Sequence, residues 1–278
     1  MSTIKSIIIE TQNITEFRGL IEVYEELAAG KMRKVKTSII GTRDFYESLS
    51  QLSVDVGSDF HSALERENPK EAVLFIAANT GLYGDIVEKT FQLFLAYIHT
   101  HKAEVFVAGK LGGELMRDFA SDISYKIIAI ADDKIEEEPL YDLLQEVVSF
   151  HKILVFYGKF QNLIVQHPRM GVVSGQMFPQ SQEELQILAK KRMMYLYEPS
   201  VYSVSELFTK EVLAGVLEQM ILESQLSKFA SRVMHLDRAV EKVDEELKHL
   251  EGDKRKARKQ TTEKKQNAMM VNVMSRGF

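Results

Sequence analysis

The chain has no cysteine, which removes disulfides and cysteine-ligated metals from consideration. A reducing compartment fits that absence. Apolar runs are short: Lys5, Glu10 and Glu16 interrupt the front of the chain, so no signal peptide is expected there. No stretch approaches the roughly 20 apolar residues of a membrane span. Proline is scarce and unevenly placed, with all five between Pro69 and Pro199. The flanks lack the residue that most strongly breaks helices, so both can form long uninterrupted ones.

The 278 residues have a net charge of -5 and are 45% apolar, enough for a real core and without the global basic excess of a nucleic-acid binder. Both flanks carry a seven-residue apolar repeat. At the front one seam reads Ile7, Ile14, Ile21, Ala28, Val35, Thr42, Leu49, with a companion at Phe17, Tyr24, Lys31, Ser38, Phe45, Leu52. At the back the seams are Val233, Val240, Leu247, Lys254, Thr261, Ala268 and Leu236, Val243, Leu250, Ala257, Lys264, Val271. Alternating three- and four-residue spacing is the face of a coiled coil.

The first helix is expected from Thr3 to the mid-fifties, about 75–80 Å long, and the last from Ser203 or Ser205 onward, roughly 105 Å long. Ser203 and Glu206 have capping-box spacing. Gly19, Gly30 and Gly41 interrupt the first helix and predict close approach by a neighbour, because each costs roughly 1 kcal/mol against alanine. Lys254 and Lys264 fall on the apolar seam, so the pairing of the two helices should weaken there.

The middle alternates strand and helix. Ala72–Ala78 reads as a strand buried on both faces. A helix follows over Gly81–Thr100, then a strand over Glu104–Ala108, a helix over Leu111–Ala120, a strand over Tyr125–Ala131, a helix over Leu140–Phe150 and a strand from Ile153. Asn162–Gln166, Val172–Phe178 and Met193–Tyr197 are further strands, and Ser181–Lys191 a further helix. The first strands form βαβ units on a parallel sheet, with an antiparallel edge near Gly158 and Pro168–Gly171. The expected architecture is an α/β protein: long N- and C-terminal helices in an antiparallel coiled coil, and a central Rossmann-like domain. The boundaries are 1-57, 68-200 and 203-278.

No residue set reads as catalytic. The histidines make no HExxH arrangement, and no serine stands in a GxSxG elbow. Gly109-Lys110-Leu111-Gly112-Gly113 follows a strand, but lacks the glycine spacing of a dinucleotide loop and the terminal Lys-Ser or Lys-Thr of a P-loop. Asn79–Asp85 reads as a tight turn, and Asp132 and Asp133 as a solvated acidic loop. No metal or cofactor site is expected. Two basic clusters stand out, Lys31, Arg33, Lys34 and Lys36 at the front, and Lys254, Arg255, Lys256, Arg258, Lys259, Lys264 and Lys265 at the back. The second has no interleaved aromatics of the kind that stack on bases, and a carboxylate-lined protein partner suits it better.

An ordered set of short motifs resembles the γ subunit family of F-type rotary ATP synthases. Ala28-Ala29-Gly30-Lys31-Met32-Arg33-Lys34 is similar to the family's alanine-rich stretch before lysine, an apolar residue and arginine. Thr80-Gly81-Leu82-Tyr83-Gly84 resembles its Arg-Gly-Leu-Cys-Gly turn, and Tyr195-Leu196-Tyr197-Glu198-Pro199 its entry to the last helix. Arg232, Ala239 and Lys256-Ala257-Arg258 follow in register. The chain departs from the pattern at Asp85, at Thr261-Thr262-Glu263-Lys264-Lys265 and over Met269–Phe278. The resemblance implies a non-catalytic rotor shaft turning inside a ring of α and β subunits. It implies an ε-type subunit and a membrane rotor ring at the foot, with peripheral attachment on the cytoplasmic side. Lys31, Arg33, Lys34, Lys256, Arg258 and Lys259 are the expected shaft-to-ring contacts. A γ-like shaft of a specialised paralogous rotary ATPase fits the departures. An α/β ligand-binding protein dimerising through its helices, or a tether using the basic tip, is the reading the residues allow without the resemblance.

Overall fold

A computed structural model of the chain describes residues 4–56, 68–133, 135, 137–173, 198 and 200–275. Two helices dominate: α1 over Ile4–Val56 and α5 over Val201–Ser275. Between them lie β1 (Asn68–Ile76), α2 (Ile86–Thr100), β2 (Ala103–Ala108), α3 (Lys110–Phe119), β3 (Tyr125–Ile128), α4 (Glu137–Val147), β4 (Phe150–Phe160) and β5 (Gln166–Val172). The strands form one sheet in the order β3-β2-β1-β4-β5. The first four are parallel, and β5 pairs antiparallel with β4, as the alternating pattern predicts.

The chain divides into two compact units, Ala28–Arg232 and a second made of Met1–Leu27 with Val233–Phe278. In the α/β unit, β1 is buried on both faces. Val73 and Phe75 join a core with Phe91 and Phe94 of α2, while Ala72, Leu74 and Ile76 face Leu143 and Val147 of α4. Helix α5 contributes to both cores: Leu213, Leu217 and Ile221 to the second, Leu222, Leu226 and Phe229 to the first, where Val35 of α1 joins them. It therefore passes over the carboxyl edge of the parallel strands, held there by its apolar residues.

In the coiled-coil unit the α5 seam follows the sequence reading, since Val233, Leu236 and Leu250 are buried and Val240, Val243, Leu247, Lys254 and Ala257 are partly buried. Arg18 Nε donates to Asp244 Oδ1 at 2.6 Å, and in the α/β unit Lys31, later on α1, lies over the ring of Phe229, earlier on α5, so the pair runs antiparallel. The first α1 seam also holds: Ile7, Ile21, Ala28 and Val35 are buried. Its companion does not. Phe17, Tyr24, Lys31, Ser38 and Phe45 are exposed, and the covered positions are Thr11, Arg18, Glu25, Met32 and Ile39, four residues after each member of the first seam rather than three. This register brings Arg18 to Asp244, and it leaves Phe17, Leu20, Tyr24 and Leu27 as an apolar stripe on the outer face of α1.

Other boundaries move for local reasons. Helix α2 begins at Ile86 because Leu82 and Gly84 before it have φ of 65° and 61°, left-handed conformations that end helical hydrogen bonding. Asn162 starts a turn rather than a strand, its Oδ1 accepting from the N–H of Ile164 and Val165 at 3.0 and 2.8 Å. Strand β3 stops at Ile128, α4 runs over Glu137–Val147, and Phe150 opens β4 instead of closing the helix. Helix α5 is capped by Ser200, whose Oγ accepts the Ser203 N–H at 3.2 Å, so Ser203 lies inside the helix rather than at its cap. A methyl group added at Gly19 or Gly41 would meet nothing within 4 Å, and at Gly30 only the Arg33 guanidinium at 3.9 Å, so no neighbour presses on these glycines among the described residues. The expected strand over Met193–Tyr197, helix over Ser181–Lys191 and most of the strand over Val172–Phe178 lie outside the described residues; Val56–Lys70 also reads in the sequence as the exit from the first helix, and of it residues 57–67 lie outside them while Asn68–Lys70 open β1.

Candidate functional site at the carboxyl edge of the sheet

In open α/β sheets ligands settle outside the carboxyl ends of the strands, where the strand order reverses. Here that point lies beside β1, between β2 on one side and β4 on the other. It is filled by the chain itself. Lys228 of α5, 4% exposed, donates from Nζ to the Ala77 carbonyl at 2.8 Å and to Asp132 Oδ1 at 3.1 Å. The other oxygen of Asp132 accepts from the N–H groups of Asn79 and Thr80, at 2.9 and 3.1 Å, and from Thr80 Oγ1 at 3.2 Å. Asn79 in turn donates to the Ile130 carbonyl at 2.6 Å and accepts the Lys110 N–H at 3.1 Å.

One turn along α5, Arg232 closes the loop after β1. It donates to the Gly81 carbonyl at 2.5 Å, to Thr80 Oγ1 at 3.1 Å and to the Leu82 carbonyl at 3.4 Å, and its guanidinium stacks 3.9 Å from the centre of the Tyr83 ring. One turn earlier, Gln225 donates to the Ala131 carbonyl at 3.0 Å. Asp132 is thus a buried counter-ion, not the end of a solvated loop: its carboxylate is 12% exposed.

The electrostatics follow from burial. Desolvation pushes the Asp132 carboxyl up, but the Lys228 charge and the Asn79 N–H outweigh it and hold it below the ordinary aspartate range. Burial pulls Lys228 below the usual lysine value, offset in part by Asp132. Burial raises Tyr83 to about 12, so it stays neutral.

The glycine loop after β2 is a packing device. Gly109 has φ 96°, and a side chain there would lie 2.6 Å from the Ala78 carbonyl oxygen; at Gly112 it would lie 2.6 Å from Val107 Cγ1. The first amides of α3 are taken by Asn79 Oδ1 and the Ala78 carbonyl, which leaves them unavailable to a phosphate.

The basic residues expected to meet a partner behave differently from one another. Lys31 pairs with Asp133 at 3.0 Å, with both side chains nearly half exposed. Arg33 and Lys34 are exposed, with no side-chain partner among the described residues. Lys256 pairs along its own helix with Asp253 at 3.3 Å, Lys259 approaches Glu263 at 4.0 Å, and Arg258 is exposed and unpaired among the described residues. From Arg258 to Asn272 every side chain is exposed, yet the backbone stays helical. Among the described residues no helix is long and apolar enough to cross a membrane, and no group of three or more acidic or histidine side chains could hold a metal ion.

The buried position of Lys228 was not visible in the sequence. Its signal is a lone cation on an apolar helix face, between Leu222, Leu226 and Phe229 on one side and Val233 on the other.

The ATP synthase family model matches residues 3–264. The chain is 24% identical to the ATP synthase gamma chain of Halothermothrix orenii, over 88% of this chain and 89% of that one. It is 23% identical to the ATP synthase gamma chain of Laribacter hongkongensis, over 93% and 94%. Its fold is similar to a chain of the Euglena gracilis mitochondrial ATP synthase, OSCP/F1/c-ring in rotational state 3, with TM-score 0.69, 12% identity and coverage of 98% and 94%. A chain of the Tetrahymena thermophila mitochondrial ATP synthase central stalk/c-ring matches at TM-score 0.58 and 16% identity, covering 79% and 99%.

Proposed function

The chain belongs to the ATP synthase γ family, and on that premise we propose how it works as the central rotor stalk of an F-type ATP synthase or ATPase. The observation that carries the reading is the bare helix from Arg258 onward, in which fifteen consecutive side chains are exposed. A lone helix of that length is marginal in water. An enclosing surface would stabilise it, apolar opposite Met269, Met270 and Met274 and acidic opposite the basic cluster. The bore of a ring of α and β subunits has the required form. Lys31, Arg33, Lys34, Lys256, Arg258 and Lys259 are the proposed contacts, pairing with carboxylates of the bore.

Rotary coupling needs an asymmetric shaft, so that each catalytic subunit meets a different surface and holds a different nucleotide affinity. The two helices supply that difference. Between residues 17 and 27 the outer face of α1 carries the apolar stripe Phe17, Leu20, Tyr24 and Leu27 with only Glu22 and Glu26 beside it, whereas exposed positions of α5 over residues 241–249 include Glu241, Lys242, Glu245, Glu246 and Lys248. Turning the shaft then exchanges an apolar surface for a charged one at each subunit. The chemistry of ATP stays on the partners. Working boundaries for the three parts are 1-57, 68-200 and 203-278, with the central part as the foot beside an ε-type subunit and the membrane rotor ring. The chain is then peripheral to the membrane, on its cytoplasmic side in a bacterium.

Reversing charge at Arg33 and Arg258 together (Arg33→Glu, Arg258→Glu) tests the contacts. Reconstituted with its α and β partners, the variant should assemble weakly or hydrolyse ATP without coupling. Unchanged assembly and coupling would remove these residues from the interface.

A further inference from the structure

Among the described residues Lys228 is the only charged side chain in the fully buried set, and shaft rotation as described above assigns it no task. Its position does. Gln225, Lys228 and Arg232 are spaced three and four residues apart, on one face of α5, and each bonds a loop at the carboxyl edge of the sheet. The loops come from two places, residues 77–83 after β1 and residues 131–132 after β3. Three anchors over two turns, on strands from different parts of the sheet, fix both the height of α5 and its rotation about its own axis.

Apolar packing alone would not. Burial energy is roughly proportional to area and has no direction, so the apolar residues that α5 gives to both cores fix its rotation less sharply than directional bonds do. Charge-assisted hydrogen bonds are short and directional and resist that roll. Helix α1 has a much weaker polar hold on the same edge. Its one ion pair there among the described residues is Lys31–Asp133, with side chains 45% and 44% exposed, against 5% and 12% for Lys228–Asp132. Exposed pairs are screened and contribute little, whereas breaking a buried pair strands a charge.

We propose that twisting load between the α/β unit and the helices passes chiefly through α5, with Lys228, Asp132 and Arg232 as the clamp and α1 as a passive companion. The proposal rests on the rotor reading. It makes Lys228 a positioning residue, acting through the rigidity of α5 and touching no substrate.

The test uses the assembled complex of this chain with its α and β partners, ring fixed to a surface. A bead is attached through Lys102→Cys, an exposed position in a chain with no native cysteine. The variant is Lys228→Met with Asp132→Asn, which removes both charges while the asparagine oxygen still accepts the loop N–H groups. ATP hydrolysis should continue, and the torque on the bead should fall about twofold or more, since only non-directional packing remains. The neighbouring change Asp133→Asn, which releases only Lys31, should leave torque intact.

Full torque in the double variant, even with a lowered melting temperature, would reduce the clamp to ordinary stabilisation and overturn the proposal. An equal loss in Asp133→Asn would overturn it too. If the double variant fails to assemble, Arg232→Gln carries the same decision, because Arg232 touches only the loop surface. A wild-type complex that turns no bead would sink the rotor reading itself, a result separable from failure of the clamp.

Discussion

At the scale of single residues, the buried pair dominates. Lys228→Met leaves Asp132 without its counter-ion, 12% exposed, and should cost about 3–5 kcal/mol in denaturant unfolding, whereas removing both charges should cost far less. The pair also sets an acid limit. Asp132 titrates below its ordinary 3.8 in the folded chain, so the stability it contributes is complete above that value and is lost as pH falls through the depressed one. Glu71 adds in the same direction, its carboxyl held down by hydrogen bonds from Lys152 and Tyr97, though it is more exposed and counts for less. Thermal melts on the acid side should therefore flatten in Asp132→Asn relative to the parent; parallel curves would show that the pair does not govern the acid limb. None of this was legible beforehand. Lys228 and Asp132 are 96 residues apart, and in sequence a lysine on a helix and an aspartate after a strand both look solvated.

At the scale of elements, the two long helices differ in how plainly they can be read. The seam of α5 is made of Val, Leu and Ala, and burial follows it up to Ala257. Helix α1 offers two competing apolar stripes, and the one that faces outward, with Phe17 and Tyr24, is the more hydrophobic. The inward one contains Thr11, Arg18 and Glu25, which pattern reading discards. Arg18 is matched by Asp244, but Glu25 has no such match among the described residues. Burial raises its carboxyl pKa, and Asp237 and Glu22 add repulsion. Its sign is therefore opposite to that of Asp132: ionisation works against folding, and that penalty appears as pH rises through the raised value. Glu25→Leu should raise the melting temperature of the isolated chain at neutral pH, the added apolar burial contributing on the order of 1 kcal/mol of stability. An unchanged or lower melting temperature would mean that Glu25 is satisfied in solution. In the sheet, parallel order and the antiparallel edge were readable from the βαβ alternation and from Pro168, which an edge strand tolerates.

At the scale of the whole molecule, the contacts proposed for the tip of α5 fall where its side chains are exposed. The departure of α5 from its partner was foreseeable from Lys254 and Lys264 on an apolar seam, and every side chain from Arg258 to Asn272 is exposed. Truncation after Arg258 should therefore leave the melting temperature of the isolated chain unchanged while weakening ring assembly; a destabilised isolated chain would mean that the tip folds back on something. The carboxyl edge, where a ligand would sit in a nucleotide-binding relative of this topology, is closed by Lys228 and Arg232, so the α/β unit serves as an anchor for α5. The central claim is that this chain is a shaft completed by other subunits. It is tested most directly by purifying the tagged chain from its native host and measuring the mass and subunit stoichiometry of what accompanies it. The account predicts a single copy of the chain with α- and β-type ATPase subunits in equal, multiple copies. Recovery of the chain alone, or only with further copies of itself, would contradict it.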